Sequence, residues 1–125
     1  MFVRLKGRNG ERREFNALID TGSKYCIIPK VDAYALGYPE AVEDDPRLNP
    51  TNALTVATHG GFCNGALLQI EPVDVGTMTF RGIDFIAFDI PQVTRLDVVL
   101  GWSLLRHMKL EVDYPSARLR MEKQD

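Results

Sequence analysis

The chain is poor in the residues that build stapled or metal-centred proteins. It holds two cysteines, Cys26 and Cys63, and two histidines, His59 and His107, in 125 residues. Two isolated thiols in a reducing compartment are expected to stay unpaired, and the lone histidines lack the spacing of a Cys/His metal site. Neither a metal nor a cofactor is implied. Charge of one sign is also missing: 15 Lys and Arg against 17 Asp and Glu leave a net charge of −2, with the basic residues scattered. That excludes the electrostatic footprint of a polyanion reader, so nucleic acid is not an expected partner. No apolar run approaches the length of a bilayer span, and Met1-Phe2-Val3-Arg4-Leu5-Lys6 lacks the apolar core of a signal peptide. A membrane is therefore not expected as a partner, and a cytoplasmic location is. There is no internal repeat and no low-complexity segment. The length suits one domain over residues 1–125 with a real core.

What is present is an apolar run, Ala17-Leu18-Ile19, that delivers Asp20-Thr21-Gly22-Ser23 into a tight turn. A triplet of this kind arises by composition in about one chain in twenty of this length, so it needs a second feature beside it. That feature is Leu96-Asp97-Val98-Val99-Leu100-Gly101, an apolar strand ending in Gly and running into the helical pattern Trp102-Ser103-Leu104-Leu105-Arg106-His107-Met108. Hydrolysis by paired aspartates needs two carboxylates close enough to share a proton. The single Asp-Thr-Gly per chain therefore predicts a homodimer.

The two motifs together resemble the retropepsin-like aspartic peptidases. In that family an Asp-Ser/Thr-Gly turn near the N-terminus is matched late in the domain by two apolar residues and a Gly that open a short helix; here these are Val99, Leu100 and Gly101. The resemblance covers nearly the whole chain in its order of elements. It implies an all-β, acid-protease-like closed β-barrel, a single lobe with one or two short helices, acting as a C2 homodimer.

The residue pattern itself reads as mostly β, and throughout from Ala53 to Phe88. Phe2 to Lys6 alternates around Val3 and Leu5, Asn9-Gly10 favours a tight hairpin turn, and Arg12 to Ile19 forms the return strand. Tyr25-Cys26-Ile27-Ile28 follows as a strand stopped by Pro29. Lys30 to Leu36 reads as a short helix with Val31, Tyr34 and Ala35 on one face and Gly37 just past its end. The Pro- and acid-rich segment from Tyr38 to Asn52 reads as a surface loop, either a solvated excursion or a substrate-contacting edge. Strands are expected at Leu54–Thr58, Ala66–Ile70, Val73–Val75, Ile83–Phe88, Leu110–Tyr114 and Ala117–Glu122. Short strands separated by Gly-bearing turns indicate a closed sheet or a sandwich.

The candidate catalytic residues are Asp20, Thr21 and Gly22. In the expected mechanism Asp20 and its twofold mate share one proton and hold a water, and the ionised member takes a proton from that water as it attacks the peptide carbonyl. The protonated member stabilises the developing oxyanion and later helps protonate the leaving nitrogen. Such a pair titrates as a unit, so the rate is expected to rise and fall with pH. By resemblance, the Thr21 hydroxyl reaches the partner's backbone, and Ser23 bonds an outer carboxylate oxygen. Thr58-His59-Gly60-Gly61-Phe62 reads as a mobile hairpin tip, and by resemblance as a flap whose backbone holds an extended peptide by strand addition. The substrate-binding residues are thus Ser23, His59, Gly60, Gly61, Phe62 and Val99. Ile27, Ile28, Ile86 and Val99 are expected to line part of an apolar cleft. Gly101 is expected to let the late strand pass close beneath the Asp20 loop, and Trp102, Leu104, Leu105 and Met108 to lie in the core.

Two positions depart from the retroviral pattern. Lys24 stands where an acid is usual, and Trp102 where a base is usual. The leading reading is an aspartic endopeptidase acting on extended or unfolded polypeptides. A peptide-binding module of the same fold with little or no turnover, and a plain dimerisation domain, remain as alternatives.

Overall fold

The computed structural model describes residues 1–43, 52–58, 61–88 and 98–124. The first two strands, β1 (Phe2–Lys6) and β2 (Arg12–Ile19), form the expected antiparallel hairpin, with Val3 facing Phe15 and Leu5 facing Arg13. Val3, Leu5, Phe15 and Ala17 point into the core on the period-two pattern, and their neighbours face outward. The turn between them closes through the Gly7 N–H to the Glu11 carbonyl at 2.7 Å and the Gly10 N–H to the Gly7 carbonyl at 3.0 Å.

β3 (Cys26–Pro29) leads without a break into α1 (Lys30–Ala35), whose end is followed by Gly37 at φ +87°. The helix buries Ala33 and Leu36, whereas Val31 and Tyr34 are 75% and 58% exposed. The face that carries Val31, Tyr34 and Ala35 is therefore the outer one. Six residues make under two turns, too few for spacing to choose between faces, and the next segment of the chain makes the choice. The backbone turns back through Pro39–Val42, and Tyr38 and Ala41 enter the core beside Leu36. Tyr38 donates its hydroxyl to the Lys6 carbonyl at 3.0 Å, and the Arg8 guanidinium lies over its ring. The first part of the expected loop is thus anchored to β1. Residues 44–51 lie outside the described part of the chain.

The remaining strands are β4 (Ala53–Thr58), β5 (Gly61–Ile70), β6 (Val73–Val75), β7 (Met78–Phe80), β8 (Ile83–Phe88), β9 (Val98–Leu100), β10 (Met108–Asp113) and β11 (Arg118–Lys123), with α2 (Trp102–Leu105) after β9. Among the described residues, nine strands form one sheet in the order β4-β5-β8-β3-β9-β2-β1-β6-β7. The chain is mostly β with two short helices, as expected. It is not a closed barrel: the hydrogen-bonded order has two ends, β4 and β7, and no pairing among the described residues joins them. The strands instead curl around one core of Leu5, Ile28, Ile70, Phe85, Leu100 and Leu104 with their neighbours, each side chain contributing about 1.5–3 kcal/mol by leaving water.

β10 and β11 stand apart as a two-stranded ribbon. Its register puts Met108, Leu110, Val112, Met121 and Leu119 on one face and the charged Lys109, Glu111, Asp113, Arg118, Arg120 and Glu122 on the other. The near end of the apolar face packs on the core through Met108, Leu110 and Met121; the far end, Val112 and Leu119, is 57% and 43% exposed. No helix of the described residues is long and apolar enough to cross a membrane.

Burial has a consequence for alkaline stability. It pushes the Cys26 thiol above its ordinary 9.0, against the lowering effect of hydrogen bonding with Ser103, and raises the Tyr38 phenol above its ordinary 10.0 while Arg8 partly opposes it. The folded chain keeps protons that the unfolded chain gives up. This stability is therefore complete below the unfolded values and is lost as pH rises through them towards the folded values. Urea unfolding midpoints are expected to fall progressively above about pH 9. Tyr38→Phe should flatten the upper part of that slope while costing about 1 kcal/mol at neutral pH for its lost hydrogen bond.

Candidate active site

Asp20 sits at the end of β2, where the chain leaves the sheet. β2 and β3 do not pair with each other: β9 lies between them, parallel to β2 through Leu18 and Val99 and antiparallel to β3 through Ile27 and Val99. The connection from Asp20 to Tyr25 must therefore cross over the end of β9. The Asp20 N–H donates to the Leu100 carbonyl at 3.0 Å, and the Ser23 N–H closes the turn on the Asp20 carbonyl at 3.1 Å. Beyond the crossing, the Trp102 N–H donates to the Ser23 carbonyl at 2.7 Å and the Ser103 N–H to the Lys24 carbonyl at 3.0 Å. Four backbone bonds thus fix the loop that carries the carboxylate.

Gly101 makes the crossing possible. A Cβ there would lie 2.7 Å from the Ser23 carbonyl oxygen and nearer still to that of Tyr25, both backbone atoms that cannot swing away. Its role beneath the Asp20 loop is as expected. Gly22 is close to the carboxylate itself: its N–H donates to Asp20 Oδ1 at 2.9 Å, and a Cβ at this position would come within 3.3 Å of the same oxygen. Asp20, Thr21 and Gly22 are all exposed in the single chain.

The Ser23 hydroxyl does not reach the carboxylate. It donates to the Tyr25 carbonyl at 2.7 Å, because the turn directs it along the chain towards β3. A bracing residue not singled out from the sequence is Ser103, buried in α2. Its hydroxyl accepts from the Cys26 N–H at 3.0 Å and donates to the Asp84 carbonyl at 2.7 Å, tying α2, β3 and β8 together under the loop. The signal is one small polar residue inside Trp102-Ser103-Leu104-Leu105. Leu104, Leu105 and Met108 are in the core as expected, but Trp102 is 53% exposed. It is the first residue of a four-residue helix whose buried side is already filled by Ser103, Leu104 and Leu105.

On the sheet face opposite the core, the registers align Leu18, Val99, Ile27, Ile86 and Leu67 in one row across β2, β9, β3, β8 and β5. Ile86 is buried, Val99, Ile27 and Leu67 are half-buried, and Leu18 is 43% exposed. Asp20 follows Leu18 by two residues, so this apolar row runs beside the carboxylate. Three of the four expected cleft residues belong to it. Ile28 does not, since alternation along β3 turns it into the core, where it is fully buried. β4 and β5 pair as a hairpin down to Thr58 and Gly61, with Gly61 at φ +112° and Phe62 80% exposed. His59 and Gly60, the middle of the expected flap, lie outside the described residues. Cys26, buried, and Cys63, exposed, form no disulfide. Among the described residues no three His, Cys, Asp or Glu side chains converge as a metal site.

The arrangement defines a class: a carboxylate on a backbone-braced turn at the protein surface, flanked by an apolar row. The aspartyl protease family matches residues 3–104, and the chain belongs to it. The fold is similar to that of a retropepsin-like aspartic protease from Rickettsia conorii, with a TM-score of 0.58 at 21% identity over 98% of this chain and 89% of that one. No curated protein sequence matches significantly.

Gly101→Ala is expected to destabilise the protein by about 2–3 kcal/mol, measured by urea unfolding, because the added methyl meets rigid carbonyls and the loop must lift off β9.

Proposed function

We propose that the protein is an aspartic endopeptidase of extended or unfolded polypeptides, with a water activated by an Asp20 pair at the axis of a homodimer. The observation that carries this reading is the exposed Asp20 carboxylate, held at a fixed place by the Leu100 and Gly22 backbone and, among the described residues, by no salt bridge. One carboxylate cannot be ionised to take the water's proton and protonated to stabilise the oxyanion at the same moment, and each chain supplies one such turn. A second copy brings the mate. With two carboxylates in contact, one proton is shared: the ionised member deprotonates the water as it attacks the peptide carbonyl, and the protonated member stabilises the oxyanion and then the leaving nitrogen. No covalent intermediate forms.

Several features support the pairing and the substrate class. Leu18 beside Asp20, and Val112 and Leu119 on the overhanging ribbon, are apolar surfaces that a single chain leaves in water. The row of Val99, Ile27 and Ile86 suits apolar side chains around the scissile bond. The hairpin of β4 and β5 serves as the flap, with Gly61 and Phe62, together with His59 and Gly60, closing over the peptide. Thr21, exposed in one chain, braces the two turns across the axis.

Asp20→Asn should lower cleavage of an unfolded protein substrate by about a thousandfold or more without loss of fold by circular dichroism. Mixing wild-type and Asp20→Asn chains tests the symmetry of the site. Activity should follow the square of the wild-type fraction, so that equal mixing with full subunit exchange leaves about one quarter of it. A linear fall would mean that each chain works alone. Substrate bound by both proteins with no cleavage by either would identify a binding module instead.

A further inference from the structure

A pocket of about 150 Å³ opens beside the Asp20 loop, lined by Lys24, Tyr25, Asp84, Trp102, Ser103 and Arg106 among its walls. Its residues come from the two segments that the crossing joins and from the start of β8. The Lys24 carbonyl accepts from Ser103, the Ser23 carbonyl accepts from Trp102, and Asp20 is on the same loop. The cations here are laid on aromatic rings rather than against acids. Lys24 Nζ lies 5.4 Å from the centre of the Tyr25 ring, and Arg106 Cζ lies 5.1 Å from that of Trp102. Arg106 Nε donates to His107 Nε2 at 3.2 Å. Among the described residues neither cation has an ion-pair partner. One acid, Asp84, stands in the wall, and its Oδ1 already accepts from the Gln69 side chain at 3.1 Å. Two positive charges against one engaged carboxylate leave the pocket net positive.

The sheet register places this pocket relative to the carboxylate. Carrying the pairings of β2, β9, β3 and β8 one residue further aligns Asp20, Gly101, Tyr25 and Asp84 in a single row. Neighbouring strands are about 4.8 Å apart, so Tyr25 is about 10 Å and Asp84 about 14 Å along the row from Asp20. An extended peptide advances about 3.3 Å per residue. The pocket therefore meets a side chain three or four residues from the bond held at Asp20.

We infer that this pocket is a specificity subsite for an acidic side chain of the substrate, with Lys24 and Arg106 as the charged contacts and Trp102 as the platform that holds Arg106 in place. The inference rests on the peptidase reading of Asp20 given above. Since the dimer is twofold, each chain carries one such pocket. The preferred peptide has an apolar centre and an acid at matched distances on both sides.

The test is a series of peptides with an apolar centre and a single Glu or Gln moved outward from the scissile bond. Glu at three or four residues should raise kcat/KM about fivefold to tenfold over Gln at the same position, and by less elsewhere. The double variant Lys24→Glu, Arg106→Glu should reverse the preference, favouring Lys over Glu there; both side chains are exposed, so the fold is kept. Trp102 is the sole tryptophan and reports binding directly. In the Asp20→Asn protein at neutral pH, the Glu peptide should change its fluorescence at lower concentration than the Gln peptide. Cleavage without a Glu preference, or a preference that survives the double charge reversal, overturns the inference. A double variant that shifts the monomer–dimer equilibrium in sedimentation but not the Glu-to-Gln ratio also overturns it, since the pocket then receives the second copy. Charge-selective binding reported by Trp102 without cleavage by the wild type upholds the pocket and removes the peptidase reading instead.

Discussion

The structure depends on one crossing. β9 is inserted between the two strands that the Asp20 turn connects, so the turn has to bridge a strand instead of closing a hairpin. A bridging loop of this kind is strained open unless the strand beneath it is thin, and Gly101 makes it thin. With no side chain at Gly101, the loop comes down close enough for the Ser23 and Lys24 carbonyls to use the N–H groups that lie just past β9. The Leu100 carbonyl, the Trp102 N–H and the Ser103 N–H would otherwise be unpaired polar groups next to a core, each costing about 1–3 kcal/mol. The same bonds that satisfy the backbone also fix the carboxylate. Stability and positioning are here a single set of contacts.

The energetics of the crossing extend into the core through Ser103 and Cys26. A buried serine is tolerable only when its hydroxyl is fully used, and Ser103 both accepts from β3 and donates to β8. Cys26 lies between the same elements, with the Gly101 N–H 3.4 Å from its sulfur. Among the described residues no buried side-chain nitrogen or oxygen lacks a partner. The loop therefore stands on a satisfied polar layer with Leu100, Leu104 and Phe85 beneath it, which is how a surface turn is held without charged braces.

Local pattern reveals the strands well and their neighbours poorly. Phe2–Lys6, Arg12–Ile19 and Ile83–Phe88 are legible to the residue because a turn residue marks an end of each: Gly7 after the first, Asp20 after the second, Gly82 and Asp89 around the third. β7, Met78-Thr79-Phe80, is not, since it lacks the paired β-branched residues that mark Val73–Val75. Which face of α1 turns inward is not legible either, since six residues make under two turns, and Trp102 is misplaced into the core because bulk is a weaker guide than position in a four-residue helix. Most telling, nothing in the segments themselves says that β9 enters between β2 and β3. That is a long-range pairing, and only the combination of Asp-Thr-Gly with a late Val-Leu-Gly, as in the family, points to it. Of the candidate site, Asp20, Gly22 and Gly101 are legible because each carries a backbone or charge requirement that other residues meet badly. Ser23 and Ser103 are not, since a hydroxyl's partner is decided by tertiary geometry.

Lys24 and Trp102 show what such bracing frees. In the retroviral pattern an acid and a base at these two positions are expected to hold the loop, yet here the charge at one is reversed and the other is aromatic. The loop is held all the same, because positions 24 and 102 are fixed by their backbone: the Lys24 carbonyl takes the Ser103 N–H, and the Trp102 N–H is given to Ser23. When the main chain bears the structural requirement, the side chains no longer have to pair with each other. Lys24 rests on Tyr25, and Trp102 supports Arg106, each a contact of about 0.5–1 kcal/mol that leaves the charge uncancelled. An ion pair at these positions would have neutralised the surface next to the carboxylate. Replacing it by two cation–aromatic contacts keeps the order of the loop and turns the same surface positive, so that charge at this place becomes available for recognition.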